Sequence, residues 1–106
     1  MSPGKIASQA GHAYLGAAVN ADPALLADYH RDFPTSPGTK VCLRSKNLLA
    51  IIQAQQKAAE AGIPHFLVVD SGCHDFFGGQ PTVTALGLGP ARRSEISHIT
   101  QGFNLL

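Results

Sequence analysis

Asp70 closes the apolar run His65-Phe66-Leu67-Val68-Val69 and stands before a segment, Ser71 to Pro81, that carries three glycines. A carboxylate at the end of a buried strand is where open α/β sheets place ligand-binding groups, although an Asp in that position also serves as an ordinary turn cap. Four residues on, His74 offers an imidazole that titrates near neutrality, flanked by Cys73 and Asp75. No CxxC or HxxxH spacing delivers these groups from a rigid element, so no metal is expected. Cys73 and His74 are adjacent in the chain and therefore point apart, which disfavours a nucleophile-base pair. Lys5 and His12 lie two helical turns apart and share a face if their segment is helical. Gly87-Leu88-Gly89 before Pro90 begins like a dinucleotide turn but lacks the third glycine and the downstream acidic residue.

These residues need elements to position them. Pro3 suits a first helical turn, and Lys5 to Val19 places Ile6, Ala10, Ala13 and Ala17 at helical spacing. Its small side chains would let such a helix lie close to a sheet. Asp22-Pro23 has the form of an N-cap followed by proline at the first helical position, opening a second helix through about Asp32. Lys40 to Arg44 alternates like a strand, Ser45 is placed to cap a long helix, and Gly62 is its expected stop. His65 to Asp70 reads as a strand buried on both faces, giving a strand-helix-strand unit with parallel strands. Thr82 to Leu88 is a further strand, and Pro90 is expected to start the last helix. The expected fold class is α/β, a three-layer α/β/α domain with a small mixed β-sheet.

The 106 residues suit a single domain, residues 1–106. Hydrophobic residues make up 44% and charged residues 14%, against roughly 25% charged in ordinary domains, which excludes charge-driven disorder. A formal net charge of +1 means that any polyanion must be held by a local patch. Cys42 and Cys73 need not form a disulfide staple in a domain with a viable core, and a reducing cytoplasmic setting is expected. No apolar run approaches the roughly 20 residues of a membrane span, so no membrane partner is expected.

Three blocks, Gly4-Lys5-Ile6-Ala7-Ser8-Gln9-Ala10-Gly11-His12-Ala13, Gly62-Ile63-Pro64 through Asp70-Ser71-Gly72, and Thr82-Val83 through Gly87-Leu88-Gly89-Pro90, together resemble the archaeal and eukaryotic-type peptidyl-tRNA hydrolases. The order and spacing are colinear over nearly the whole chain. The resemblance implies hydrolysis of the ester joining a peptide to the terminal ribose of tRNA, with peptidyl-tRNA as partner and without a cofactor. It also implies that Lys5, Asp70 and Thr82 belong to the active site, with Gln9 and His12 lining the same cleft. The chain departs from the family pattern D-x-G-x-T-Q at Cys73-His74-Asp75, where the customary Thr is His74, which becomes a candidate catalytic base. The apolar strand that family members carry ahead of this helix has no counterpart before Gly4, and exposed strand edges would then favour a homo-oligomer.

Lys40, Arg44, Lys46, Arg92 and Arg93 are candidate phosphate contacts, the last two at an expected helix start where backbone N–H groups also favour anions. Two other readings stay open at this point: an RNA- or protein-binding module of the same fold that has lost catalysis, and a small-molecule esterase built on Asp70 and His74.

Overall fold

The computed structural model describes residues 1–70 and 81–106. Helix α1 spans Pro3–Asn20 and opens on Ser2, whose hydroxyl accepts from the Lys5 amide at 3.2 Å, with proline in the first turn. Asp22 then accepts from the Ala24 amide at 2.8 Å and starts α2, Pro23–Tyr29, which ends short of the expected Asp32. Strand β1 is reduced to Leu43–Arg44, followed by α3 at Leu48–Glu60, β2 at His65–Asp70, β3 at Thr82–Leu88, α4 at Arg93–Thr100 and β4 at Asn104–Leu105. No helix among the described residues is long and apolar enough to cross a membrane.

The helix boundaries follow from local chemistry. Asn47, not Ser45, caps α3: its Oδ1 accepts from the Ala50 amide at 2.9 Å, while the Ser45 hydroxyl donates to the Asn47 carbonyl. Gly62, at φ +69°, ends the helix in a left-handed turn in which the Gly62 amide donates to Ala59 O and the Ile63 amide to Ala58 O. Such a turn satisfies two helix-end carbonyls at once and buries Ile63 beside Ala58, which aims the chain into β2. Pro90 precedes the last helix instead of opening it; Arg92 is the cap residue, and its amide donates to the Glu95 carboxylate at 3.1 Å.

The chain is an α/β fold whose strands form two antiparallel pairs among the described residues, β2 with β3 and β1 with β4. The expected parallel strand-helix-strand unit is therefore not formed. β1 turns away from β2 and pairs Leu43 with Leu105 and Arg44 with Asn104. The β2–β3 ribbon is the middle layer. On one face α1 presses so close that a Cβ on Gly87 would run into the Ala13 carbonyl and the Ala17 methyl. On the other face Leu86 and Leu88 pack on the core formed by Ala54, Ala58, Ile63 and Ile99, which joins α3 to α4.

Within the ribbon the register slips by one residue. Val68 pairs with Ala85 and Val69 with Val83, so Thr84 is the extra residue of a β-bulge, and Asp70 pairs with Thr82. A bulge of this kind changes which face the following side chains take.

Candidate functional site

The site lies where the first turns of α1 cross the end of β2. Lys5 and Gln9 are one turn apart and point the same way. Lys5 Nζ donates to Asp70 Oδ2 at 2.9 Å, and Gln9 Nε2 donates to the same oxygen at 3.1 Å. The Thr84 hydroxyl donates to Gln9 Oε1 at 2.5 Å. One carboxylate oxygen thus receives a cation and an amide, and the amide is itself fixed from the strand.

Burial makes this arrangement firm. Gln9 is 4% exposed, a polar residue among a core otherwise built from Ala, Val and Ile, and the Asp70 side chain is 8% exposed against 22% for Lys5. A buried amide keeps its place only when its donor and acceptor are both used. Asp70 and Gln9 therefore hold each other, while the partly open Lys5 ammonium keeps a route to solvent.

Thr82 faces Asp70 as its ladder partner, and residues directly opposite in an antiparallel pair share a face. The bulge at Thr84 creates this pairing, since a regular ladder continuing from Val68 and Ala85 would set Val83 opposite Asp70. His12 lies about one turn past Gln9 in a shallow groove between α1 and β2, about 450 Å³ in volume, with Leu15, Gly16, Val19, Phe66 and Val69. His74, with Cys73 and Asp75, lies outside the described residues. Among the described residues no group of three or more His, Cys, Asp or Glu side chains gathers as metal ligands would.

The expected phosphate contacts are dispersed. Lys40 donates to the Pro37 and Gly38 carbonyls and sits 5.3 Å from the centre of the Tyr29 ring. Arg92 reaches Asp28 at 3.9 Å, next to Arg93 at the start of α4. Arg44 donates to the Leu105 carbonyl from β1 and, with Lys46, lines a different cleft. Thr84 is the site residue that sequence reasoning missed, because it reaches Gln9 from the bulge in β3.

The sequence profile of the family described as "Peptidyl-tRNA hydrolase PTH2" matches residues 1–106, the whole chain. The chain belongs to this family. Among similar proteins, the peptidyl-tRNA hydrolase of Methanopyrus kandleri is 36% identical over 108 residues, covering 100% of this chain and 88% of the relative. That of Methanothermobacter thermautotrophicus is 33% identical over 106 residues, covering 100% and 89%. That of Halobacterium salinarum is 30% identical over 105 residues, covering 99% and 88%. As a PTH2 member the chain carries its family likeness along its full length, including both segments that build the Lys5, Gln9 and Asp70 cluster.

Proposed function

We propose that this protein is a peptidyl-tRNA hydrolase that cleaves the ester between a peptide and the 3′ ribose of tRNA. The observation that carries the reading is the convergence of Lys5 and Gln9 on Asp70 Oδ2 at the end of β2. Ester hydrolysis needs a water held and deprotonated, charge stabilisation as the carbonyl oxygen becomes an oxyanion, and a proton for the leaving ribose oxygen. Asp70 orients the attacking water. Lys5 places a positive charge beside the carbonyl, and the Thr82 hydroxyl donates a positioning hydrogen bond from the opposite strand. The water's oxygen bonds to the acyl carbon, the acyl–ribose bond breaks, and the proton lost by the water goes to the ribose 3′ oxygen. His74 is the candidate carrier of that proton, His12 lines the approach, and Gln9 holds Asp70 in place.

The setting in this reading is translation in the cytoplasm, recycling tRNA from stalled peptides, with Lys40, Arg44, Arg92 and Arg93 as outlying contacts to tRNA phosphates. Self-association belongs to the same proposal. The outer edge of β2 has no ladder partner among the described residues, and Leu15, Val19 and Val69 are exposed beside it. Apolar surface next to an open strand edge favours pairing with a second copy. Light scattering at micromolar concentration is expected to show a dimer or larger assembly, and a stable monomer would reject this part.

The deciding experiment follows peptide release from labelled peptidyl-tRNA. Asp70→Asn, which keeps the side chain's shape, is expected to abolish release while the circular dichroism spectrum stays native. Full activity in that variant would remove Asp70 from the chemistry.

A further inference from the structure

On the face of the ribbon opposite α1, a second cleft of about 450 Å³ opens between α3, α4 and the β1–β4 pair. Arg44, Lys46, Lys57 and His98 line it together with Gln53 and Gln101, and no Asp or Glu does. Three of the chain's eight Lys and Arg residues thus gather in one place. Of the other five cations, Arg93 stands apart at the start of α4 and four are occupied differently. Lys5 is bound to Asp70, Arg31 and Arg92 reach acidic side chains, and Lys40 is turned onto backbone carbonyls. Among the described residues Lys46 and Lys57 make no ion pair, and Arg44 is steadied by the Leu105 carbonyl at 3.4 Å instead of by a carboxylate. Like charges repel when they converge, so a cleft of this composition is stabilised by an anion entering it. Ala50 and Ala54 are the small residues that α3 contributes to its lining, which leaves room between the long basic side chains.

We infer that this cleft holds the phosphodiester backbone of the RNA substrate at a point remote from the scissile ester. The inference rests on the peptidyl-tRNA reading for the identity of the polyanion. Arg44 offers the planar fork that matches a phosphate, Lys46 and Lys57 add mobile point charges, and the Gln53 and Gln101 amides can bond ribose hydroxyls or phosphate oxygens. Because α1 and α3 lie on opposite faces of the ribbon, one RNA touching both sites must pass around its edge. Shape would then help to select a folded RNA over a short strand.

The test is the double variant Lys46→Ala/Lys57→Ala, compared with the unaltered protein in three assays. Uncharged tRNA binding is measured from low to moderate salt, and the slope of log affinity against log salt is expected to fall by about 2, as for loss of two phosphate contacts. With full-length peptidyl-tRNA, KM is expected to rise about tenfold with kcat unchanged. With a peptidyl ester of adenosine, which carries no phosphate, the variant and the unaltered protein are expected to perform alike. An unchanged salt slope and an unchanged KM would overturn the proposal. So would retained tRNA binding with loss of binding to polyglutamate, which would assign the cleft to an acidic polypeptide. If the unaltered protein binds tRNA with the variant-sensitive slope yet releases no peptide, the hydrolase reading fails and the cleft assignment stands.

Discussion

Gln9→Leu isolates the buried amide that links α1 to both strands of the ribbon. The change removes a hydrogen bond to a carboxylate, worth about 1.5–3 kcal/mol, and one from a neutral hydroxyl, worth about 0.5–1.5 kcal/mol. Leucine has a similar volume and returns on the order of 1.5 kcal/mol through burial of its apolar surface. The net loss is about 1.5 kcal/mol, which lowers Tm by about 6–12 °C in a domain of this size. Thr84→Val on its own is expected to cost about 1 kcal/mol, because it deletes the hydroxyl that donates to Gln9. In the Gln9→Leu background that hydroxyl has already lost its acceptor, so the second substitution is expected to cost nothing further, a coupling of about 1 kcal/mol. Urea melts of the four proteins in the cycle measure this directly. Peptide release supplies a second readout: a residue that positions Asp70 is expected to lower kcat more than it raises KM. Additive stabilities within about 0.3 kcal/mol, or an unchanged kcat, would show that Gln9 does not brace the carboxylate.

Two other predictions use close packing and titration. Gly87→Ala drives a Cβ into the Ala13 carbonyl and is expected to cost about 1–3 kcal/mol with a matching fall in Tm; Gly11→Ala, in the same helix with nothing within 4 Å of the new Cβ, is expected to be neutral or to stabilise by up to about 1 kcal/mol, and equal losses would refute the distinction. Burial, followed by the charges of Cys42 and Tyr29, raises the Tyr14 hydroxyl above the ordinary 10.0. The folded state therefore holds this proton more tightly than the unfolded state, so its contribution is fully present below the ordinary value and is lost as pH rises through the folded one. Tyr14→Phe is expected to flatten the alkaline fall of the urea midpoint, and an unchanged slope would reject the assignment.

Local signals made most of the helices legible. Asp22-Pro23, the glycine after α3 and the Ala spacing of α1 act within a turn of chain, and their elements begin or end within a few residues of the expected places. Asn47 caps α3 where Ser45 was expected, because Ser45 spends its hydroxyl on the Asn47 carbonyl, a choice that the sequence does not display. Pairing was less accessible. β4 is two residues long and carries no periodicity, so nothing local marked Asn104 and Leu105 as the partner that draws β1 into an antiparallel pair. Gly87 was read in a strand, in a motif block and against a dinucleotide turn, none of which shows its reason, the approach of a helix distant in sequence. Of the candidate site, Lys5, Gln9 and Asp70 were reached through motif likeness and come together in space. Thr84 was hidden because an alternating strand gives no sign of a one-residue slip.

The contact between Gly87 and Ala13 also behaves as a fulcrum. From Ala13 back to Lys5 the helix runs about 12 Å at 1.5 Å per residue, so a tilt of about 5° about that contact carries the Lys5 backbone about 1 Å sideways. Lys5 stands 2.9 Å from its carboxylate, and misplacement by about 1 Å is enough to cost about a hundredfold in rate. A side chain as small as one methyl group, placed beneath the middle of α1 and touching none of the polar residues, is thus geared to the far end of the helix. The absence of a side chain at Gly87 sets the angle at which the cation is delivered.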